Sequence, residues 1–503
     1  MFAKTWRDHW DLSEDPFAFE DADKDPFVTR VDASAVHSSF DRIFGNAETP
    51  APGIVFGEKG SGKSGLRLAM QRGIEKHNAA HHDARVFQLD YVEFDAFFDR
   101  ARQAAHLPAD KEKTTRQVVE KWRLVDHIDA ILSNGVTRLV DRWEEQRTKP
   151  KGLDRKQKAD LLALVALYYD SPKRARGAAL RRTRSKLRFS TLRPGITRLW
   201  LLLLSIASAG LGLMPHYAKI LDTGPDWEIG PAKFWYASGM FMFAATWLWF
   251  LFIAGGVRSR ATRAARSVRV MPDEPGALQG LLSSMSPKAR NEVALPAEDD
   301  EPSRFHLLGR FLSILKATGY TSVYVLMDRV DESTFLFGKG EWTRPFVRSM
   351  LDHRLLQHPN MALKLFLPIE LGQMYLGATP EELRRMRLDK SNTVQELRWT
   401  GQELYEVANQ RLRAARTTDS GSAHLSDFFQ PNVEAPVLCD ALHELGTPRY
   451  AFGFLSALFA EYARNLPDEL DPDSTEWRIP RSHFELLRAT WGDRTRALRR
   501  AMN

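Results

Sequence analysis

Residues 51–64 read APGIVFGEKGSGKS, an apolar run followed by a glycine-rich loop. The loop matches the pattern G-x-x-x-x-G-K-[ST], and a helical pattern follows it through about Lys76. Glycines allow successive backbone N–H groups to surround a phosphate, and the N-terminus of the next helix favours negative charge. We therefore predict a strand, a phosphate-binding loop of the kind called a P-loop, and a helix, which together begin a parallel α/β sheet.

The loop residues have predicted roles in binding a nucleoside triphosphate and its metal ion. Lys63 is expected to reach the β- and γ-phosphates, and Ser64 is expected to place its hydroxyl group on Mg²⁺. The expected cofactors are therefore ATP, or a close relative of it, and Mg²⁺. The candidate nucleotide-binding residues are Gly57, Glu58, Lys59, Gly60, Ser61, Gly62, Lys63, Ser64 and Gly65.

A carboxylate is also needed to hold the metal ion. The apolar run 322–327 ends in Asp328, which is the candidate for this role. Arg329 follows it, and Asp331 and Glu332 come just beyond. Asp331 or Glu332 would orient or deprotonate the attacking water in hydrolysis. The alternative is that these two acids only cap a short solvated helix.

Two long apolar stretches interrupt the chain between these motifs. Residues 234–257 contain no charged residue, and residues 196–214 contain only Arg198. A membrane-spanning helix needs about 20 predominantly apolar residues. Basic residues flank the two stretches, with ten Lys and Arg in 172–198, five Arg in 256–270, and no acid in either block. We therefore predict a two-helix transmembrane hairpin with helices at about 196–214 and 234–257.

The charge distribution predicts an orientation in the membrane. The chain has 71 Lys and Arg against 64 Asp and Glu, and the two basic blocks hold fifteen of the 71. The rest of the chain is therefore net acidic, and no nucleic acid partner is expected. Because basic flanks stay in the cytoplasm, we predict a multi-pass membrane protein with a cytoplasmic nucleotide domain, in a bacterium at the inner membrane. The basic blocks also suit anionic lipid headgroups.

Two further observations bear on the location of the protein. The first residues contain no apolar run, so no cleavable signal peptide is expected. Cys439 is the only cysteine, so no disulfide can form within the chain, which fits a reducing compartment. The alternative to a transmembrane hairpin is a buried helical hairpin in a soluble core.

Apolar strands alternate with helical patterns on both sides of the apolar stretches, which is typical of a parallel α/β sheet. The two halves of such a sheet must meet, so the region between them is predicted to be an insertion. The predicted domains are the N-terminal half of a P-loop NTPase domain at 1–99, a helical insertion with the hairpin at 100–304, the C-terminal half at 305–415, and a helical lid at 416–503. The predicted elements are a strand running into a helix at 85–98, strands at 322–327, 362–368 and 393–399, helices at 116–146, 153–170, 306–318, 401–416 and 448–464, and a mobile linker at 285–304.

Taken together, the P-loop, the segment 327–332 and the hairpin between them resemble the KAP-type P-loop ATPases, which carry membrane segments between their two Walker motifs. The lead-in WDLSEDPF at 10–17 is similar to the start of ExeA-like and ORC-like AAA+ ATPases. Residues 446–449, GTPR, are similar to the sensor 2 turn of AAA+ and STAND ATPases, whereas the segment LPIE at 367–370 departs from the polar sensor 1 of AAA+ proteins.

The resemblance implies that Arg449 touches the γ-phosphate from a helical lid. The alternative is a simple helix start, with proline in the first turn. The resemblance also places an arginine finger near Arg384, Arg385 and Arg387, for which the alternative is ordinary solvated charge.

The predicted function is that of a membrane-anchored ATPase, which binds Mg-ATP and hydrolyses it to drive or gate a membrane-associated assembly. The candidate catalytic residues are Lys63, Asp328, Asp331, Glu332 and Arg449. A homo-oligomer and an unidentified protein partner are expected. The alternative is a non-hydrolysing, nucleotide-gated signalling switch or scaffold. A transporter fits poorly, because two helices per chain make no pathway.

Overall fold

A computed structural model describes residues 4–19, 21–30, 37–109, 112–148, 150, 152–189, 199–200, 202–210, 212–213, 232–296, 298–376, 392–417, 424–467 and 470–502. The chain forms two compact units. We call Met1–Asp95 together with Gly319–Asn503 the sheet unit, and Ala96–Thr318 the inserted unit. The chain therefore leaves the sheet unit once and returns to it.

A five-stranded, all-parallel sheet lies at the centre of the sheet unit. Its strands are β1 (Gly53–Gly57), β2 (Arg85–Tyr91), β3 (Tyr320–Met327), β4 (Met361–Pro368) and β5 (Asn392–Val394), in the order β2-β3-β4-β1-β5. The three central strands β1, β3 and β4 are almost wholly buried, because a parallel sheet covered on both faces needs continuous apolar runs. The predicted α/β fold with a parallel sheet is confirmed.

The strand order creates a crevice beside the glycine-rich loop. The chain leaving β1 continues towards β2, whereas the chain leaving its neighbour β4 continues towards β5 on the other side. Open parallel sheets bind ligands at such a switch point, beyond the carboxyl ends of the strands. Gly57 pairs with Pro368, and Met327 pairs with Leu365, so the ends of β1, β3 and β4 lie at one edge.

Helices surround the sheet and continue beyond it. In the sheet unit they are Lys4–His9, Pro26–Arg30, Phe40–Phe44, Lys63–Ala80, Gly340–Met350, His353–Leu356, Ile369–Leu376, Gly401–Ala415, Ala435–Leu445, Pro448–Arg464 and Arg481–Met502, with 3-10 turns at Val330–Glu332, Leu425–Phe428 and Thr475–Trp477. The helix Asp95–Ala104 leads from this unit into the other.

The N-terminal lead-in, meaning here residues 4–19 and 21–30, packs against the C-terminal helices. Trp6, Phe17 and Phe27 are buried in one apolar cluster with residues of Gly401–Ala415 and Pro448–Arg464. The indole Nε1 of Trp6 donates a hydrogen bond to the carbonyl oxygen of Trp477 at 3.1 Å. The lead-in therefore packs with the C-terminal helices, and its residues Phe19, Asp21, Asp25 and Val28 line the crevice.

The inserted unit is helical. Its helices are Glu112–Glu120, Leu124–Glu145, Arg155–Tyr168, Arg176–Leu187, Ala232–Ser267, Gly276–Ser284, Pro287–Glu292 and Glu301–Ala317. A buried ion pair joins two of them, because Arg304 Nε lies 2.9 Å from Asp129 Oδ1 and both side chains are at most 1% exposed. Tyr168 donates to the same carboxylate at 2.7 Å.

Three predicted elements differ in the structure. The predicted helix 116–146 is broken at 121–123, where the backbone N–H of Arg123 donates to Asp126 Oδ2 and starts a new helix. The predicted linker 285–304 contains the helix Pro287–Glu292 and the buried Arg304. The predicted strand 393–399 is only Asn392–Val394, since the chain then turns towards the glycine-rich loop.

One helix of the described residues, Ala237–Ser267, is long and apolar enough to cross a membrane by length and composition. It belongs to the helix Ala232–Ser267, whose apolar half is exposed, with Phe252 80% accessible. Residues 202–210 are also helical, and a Cβ atom at Gly239 would lie 2.6 Å from the carbonyl oxygen of Ser208. The predicted link between the two helices, 214–231, lies outside the described residues, so the hairpin stays a prediction.

Candidate nucleotide-binding site

The glycine-rich loop leaves β1 and enters the helix Lys63–Ala80 in a conformation that requires glycine. Gly60 and Gly62 have φ values of 86° and 92°, in the left-handed region. A Cβ atom at Gly60 would lie 2.8 Å from Cβ of Arg449, and one at Gly62 would lie 3.1 Å from the ring of Trp399. The loop therefore carries its glycines where other chain segments come closest.

Lys63 lies across the inside of this loop. Its Nζ donates hydrogen bonds to the carbonyl oxygens of Gly57 at 2.6 Å and Glu58 at 2.9 Å. Burial lowers the pKa of the Lys63 ammonium group, although the nearby carboxylates of Asp331 and Asp328 act in the opposite direction. The loop thus holds a cation that is poorly solvated and able to gain from an anionic ligand.

Asp328 follows β3 directly and is buried, with 1% of its surface exposed. Its Oδ2 accepts a hydrogen bond from Arg67 Nε at 3.1 Å, and Arg67 Nη2 also contacts Asp23 Oδ1 at 2.5 Å. A buried carboxylate needs such a partner. The sequence interpretation missed Arg67, although it lies four residues after Lys63 and therefore on the same side of the helix.

Arg329 directly follows Asp328, and it turns towards the lead-in. Its backbone is left-handed, with φ 61°, and its guanidinium group donates to Asp21 at 3.0 Å and contacts Asp23. Glu332 lies 3.7 Å from the same guanidinium group. Desolvation and the neighbouring acids raise the pKa of Glu332 in spite of Arg329, which suits a proton acceptor.

Arg449 lies in the first turn of the helix Pro448–Arg464, over the loop. Its backbone N–H donates to the carbonyl oxygen of Gly60 at 3.4 Å. Its side-chain Nε is buried and has no hydrogen-bond partner among the described residues. Arg449, the predicted lid residue, therefore contacts the loop, and its Nε can still donate a hydrogen bond to a ligand.

These residues line one cavity of about 440 Å³ within the sheet unit. Its lining includes the loop and the charged residues Lys59, Gly60, Gly62, Lys63, Ser64, Gly65, Asp328, Arg329, Asp331, Glu332 and Arg449. It also includes the apolar residues Phe19, Val28, Trp399, Val407 and Phe452. The structure thus brings together all the candidate catalytic residues, while Gly57, Glu58 and Ser61 belong to the loop without lining the cavity. Arg384, Arg385 and Arg387 lie outside the described residues.

The lead-in and Trp399 are further parts of the site that the sequence interpretation missed. Trp399 Nε1 donates to the carbonyl oxygen of Ser61 at 2.6 Å and so holds the loop from the side. Phe19, Asp21 and Asp25 reach the cavity from the lead-in. The alternation of aromatic and acidic residues in 17–27 was the only available signal, and it does not indicate which side chain faces a ligand.

Comparison of this chain with protein-family models, curated proteins and solved structures finds no significant match. What the protein does has therefore to be inferred from the site itself.

Proposed function

We propose that the sheet unit binds Mg-ATP in the 440 Å³ cavity. The observation that carries this proposal is the meeting of the glycine-rich loop, the buried Asp328 and Arg449 around one space. The loop, Asp328 and Arg449 come from distant parts of the sequence, and each of them was predicted separately to act at the same triphosphate. A chance glycine loop gives no reason for an acid after β3 and an arginine of a distant helix to line the same cavity.

The chemistry of the donors fits a triphosphate with a metal ion. Loop N–H groups, Lys63 and Arg449 supply positive potential, which favours phosphate oxygens. Ser64 and Asp328 supply the hydroxyl and carboxylate oxygens that Mg²⁺ prefers. Phe19 and Phe452, which line the same cavity, offer flat apolar surfaces that suit a nucleobase. We therefore assign the phosphates and the metal ion to the loop, Asp328 and Arg449, and the base to Phe19 and Phe452.

We propose further that the protein is an ATPase, with Glu332 or Asp331 acting on the attacking water. Glu332 lines the cavity, and its raised pKa brings the carboxylate nearer to the range of an efficient general base. The alternative is a nucleotide-gated switch without significant turnover. It is supported by Arg329, because many ATPases have a catalytic glutamate directly after the metal-binding aspartate. Steady-state release of phosphate by purified full-length protein separates the two functions. The motif order and the apolar insertion agree with the resemblance to the KAP-type ATPases.

We propose that the apolar helix Ala237–Ser267 and the apolar stretch before it anchor the protein in a membrane. Support comes from the exposure of this surface, since Phe241, Trp249 and Phe252 are each at least 69% accessible. Exposed apolar surface of this extent is unfavourable in water and matches a bilayer. By the positive-inside rule, the nucleotide site faces the cytoplasm.

We expect the full-length protein to stay in the membrane fraction through high-salt and carbonate washes. In a Cys439→Ser background, a cysteine introduced at 216–228 should react with an impermeant thiol reagent added to intact cells. A cysteine in place of the exposed Lys76 is the control and should react only after lysis. Release by salt, or reaction of both positions only after lysis, would contradict the proposed topology.

Nucleotide binding is proposed to control self-association in the membrane plane. Lys63 and Arg449 would both hold the γ-phosphate, so ATP would favour a closed arrangement of loop and helix more than ADP does. The loop after Glu332 also contacts Asp95, the last residue of the sheet unit before the chain enters the insertion, because Thr334 Oγ1 donates to Asp95 Oδ2 at 2.7 Å. A change at the γ-phosphate is therefore close to the residue from which the chain enters the inserted unit.

We expect crosslinking in detergent to give larger assemblies with ATP than with ADP or without nucleotide. Arg449→Ala should reduce this difference, because it removes one of the two γ-phosphate contacts. Arg464→Ala, an exposed change in the last turn of the same helix, is the control and should keep it. Identical assemblies under all three nucleotide conditions would rule out the proposed coupling.

A further inference from the structure

We propose that the inserted unit carries a binding site for the phosphate groups of anionic phospholipids, formed by two rows of arginines beside the proposed membrane helices. The first row is Arg181, Arg184 and Arg188, and the second is Arg258, Arg263 and Arg266. The proposal rests on the membrane anchoring described above and adds the identity of the lipid that the anchor prefers.

The helix Arg176–Leu187 and the residues beside it divide their cations between two sides. Lys186, Arg174 and Arg182 surround the carboxylate of Glu144, at 2.9, 3.5 and 3.7 Å. Glu144 thus compensates the charge of these three cations within the unit, and no external anion is needed to explain why they lie together.

The first row has no such compensation. Arg181 and Arg184 are three residues apart on the helix and therefore neighbours on its surface, and Arg188 follows at its C-terminal end with a left-handed backbone. None of them has an acidic partner among the residues that the structure describes. They line a surface cleft of about 470 Å³ together with Ser185 and Phe189. Neighbouring like charges repel each other, so an anion shared among them would be stabilising.

The second row continues directly from the apolar part of the helix Ala232–Ser267. Val257, Ala261 and Ala264 are buried on one side of this helix, while Arg258, Arg263 and Arg266 are exposed. Arg266 meets Asp273 at 3.5 Å. Arg258 and Arg263 have no ion pair within the described ranges, although Glu298 and Asp299 line the same surface cleft, so the second row is partly compensated and the first row carries the larger share of the proposed site. With a rise of about 1.5 Å per residue, Arg263 lies only about 9 Å beyond Val257 along the helix axis.

Both rows belong to one helical assembly. The helix Gly276–Ser284 packs against Arg176–Leu187 and also against Ala232–Ser267. The chain enters the proposed membrane segment soon after the first row and leaves it just before the second, so both rows lie on the same side of the bilayer. At its surface the bilayer presents phosphate groups, with which a guanidinium group forms paired hydrogen bonds.

An anionic lipid explains this arrangement better than a soluble polyanion does. The cations outside the two basic blocks are outnumbered by acids, so the chain offers no extended positive surface to a nucleic acid. Arginines without an ion pair in the described ranges stand in the sequence on both sides of the exposed apolar segment, namely Arg181, Arg184, Arg188, Arg258 and Arg263. A phospholipid satisfies both features at once, since its acyl chains cover the apolar helix while its phosphate meets the arginines.

The test uses full-length protein in neutral detergent, titrated with short-chain phosphatidylglycerol, with phosphatidylcholine of the same chain length, and with inorganic phosphate. Bound molecules are counted by native mass spectrometry. The row variant is Arg181→Gln, Arg184→Gln and Arg188→Gln. The matched control removes the same number of charges from cations that have an acidic partner, as Lys173→Gln, Arg174→Gln and Arg182→Gln. Lys173 pairs with Glu145 at 2.9 Å, and the other two contact Glu144. Circular dichroism checks that both variants are folded.

We expect the wild type to bind phosphatidylglycerol more tightly than phosphatidylcholine. Inorganic phosphate should not displace the bound phosphatidylglycerol. Each arginine near the membrane surface should contribute about fivefold to the affinity for an anionic lipid. The row variant should therefore bind phosphatidylglycerol about a hundredfold more weakly, whereas the control should keep most of the wild-type affinity. Equal affinity in the row variant and the wild type, equal losses in both variants, or displacement of the lipid by inorganic phosphate would each overturn the proposal. Nucleotide binding and carbonate resistance, measured on the same preparation, report separately on the function proposed above.

Discussion

Lys63→Ala should weaken the binding of Mg-ATP by at least about 100-fold. Hydrogen bonds to charged groups contribute about 1.5–3 kcal/mol each, and Lys63 is expected to make them to both the β- and the γ-phosphate. The effect should be large because this ammonium group is poorly solvated and lies inside the loop, where water compensates little for its loss. Isothermal titration calorimetry on purified full-length protein measures the change.

The matched control for this prediction is Lys76→Ala. Lys76 is exposed and lies in the same helix as Lys63, about 20 Å further along its axis at a rise of about 1.5 Å per residue. It carries the same charge without facing the cavity. We expect this control to bind Mg-ATP as the wild type does. Unchanged binding in Lys63→Ala, with a fold confirmed by its thermal unfolding, would end the proposal that the loop holds the phosphates.

Asp328→Asn should lower ATP turnover by about 100- to 1,000-fold and weaken nucleotide binding much less. The amide keeps an oxygen that can accept the hydrogen bond from Arg67 Nε, so the local geometry is retained. It loses the negative charge that would hold Mg²⁺, and the loss is felt most in the transition state. Phosphate release under saturating Mg-ATP gives the rate, and calorimetry gives the affinity.

Asp90→Asn provides the comparison for this second variant. Asp90 lies near the carboxyl end of β2, beside β3, and its carboxylate accepts hydrogen bonds from Gln71 and Gln88 without lining the cavity. It should turn over ATP at the wild-type rate. If the Asp328→Asn protein turned over ATP as fast as the wild type, Asp328 would not be a ligand of the metal ion. A wild-type protein that binds Mg-ATP without measurable turnover would favour the nucleotide-gated switch.

Local patterns in the sequence predicted the central strands well. The apolar runs at 51–56, 322–327 and 362–368 correspond to β1, β3 and β4, because a strand buried on both faces needs a continuous apolar segment. The glycine-rich loop and Asp328 were likewise predictable, since each directly follows such a run. In these cases neighbouring residues alone carry the information.

Contacts between distant residues were not predictable in the same way. The ion pairs among Arg67, Asp23 and Arg329 join segments that are far apart in the sequence, and no spacing rule relates them. Trp399 was predicted to end a strand at 393–399, but the strand stops at Val394 and the indole group of Trp399 holds the loop instead. Tertiary contacts of this kind override local propensity.

The central claim is that the cavity of the sheet unit binds Mg-ATP, and a structure of the full-length protein with Mg²⁺ and a non-hydrolysable ATP analogue tests it most directly. We predict density for the triphosphate inside the loop at 57–65, with Lys63 and Arg449 within hydrogen-bonding distance of the γ-phosphate. The metal ion should lie between Ser64 and Asp328, and the base beside Phe19 and Phe452. An empty cavity at saturating analogue, or an analogue bound elsewhere on the protein, would contradict the claim.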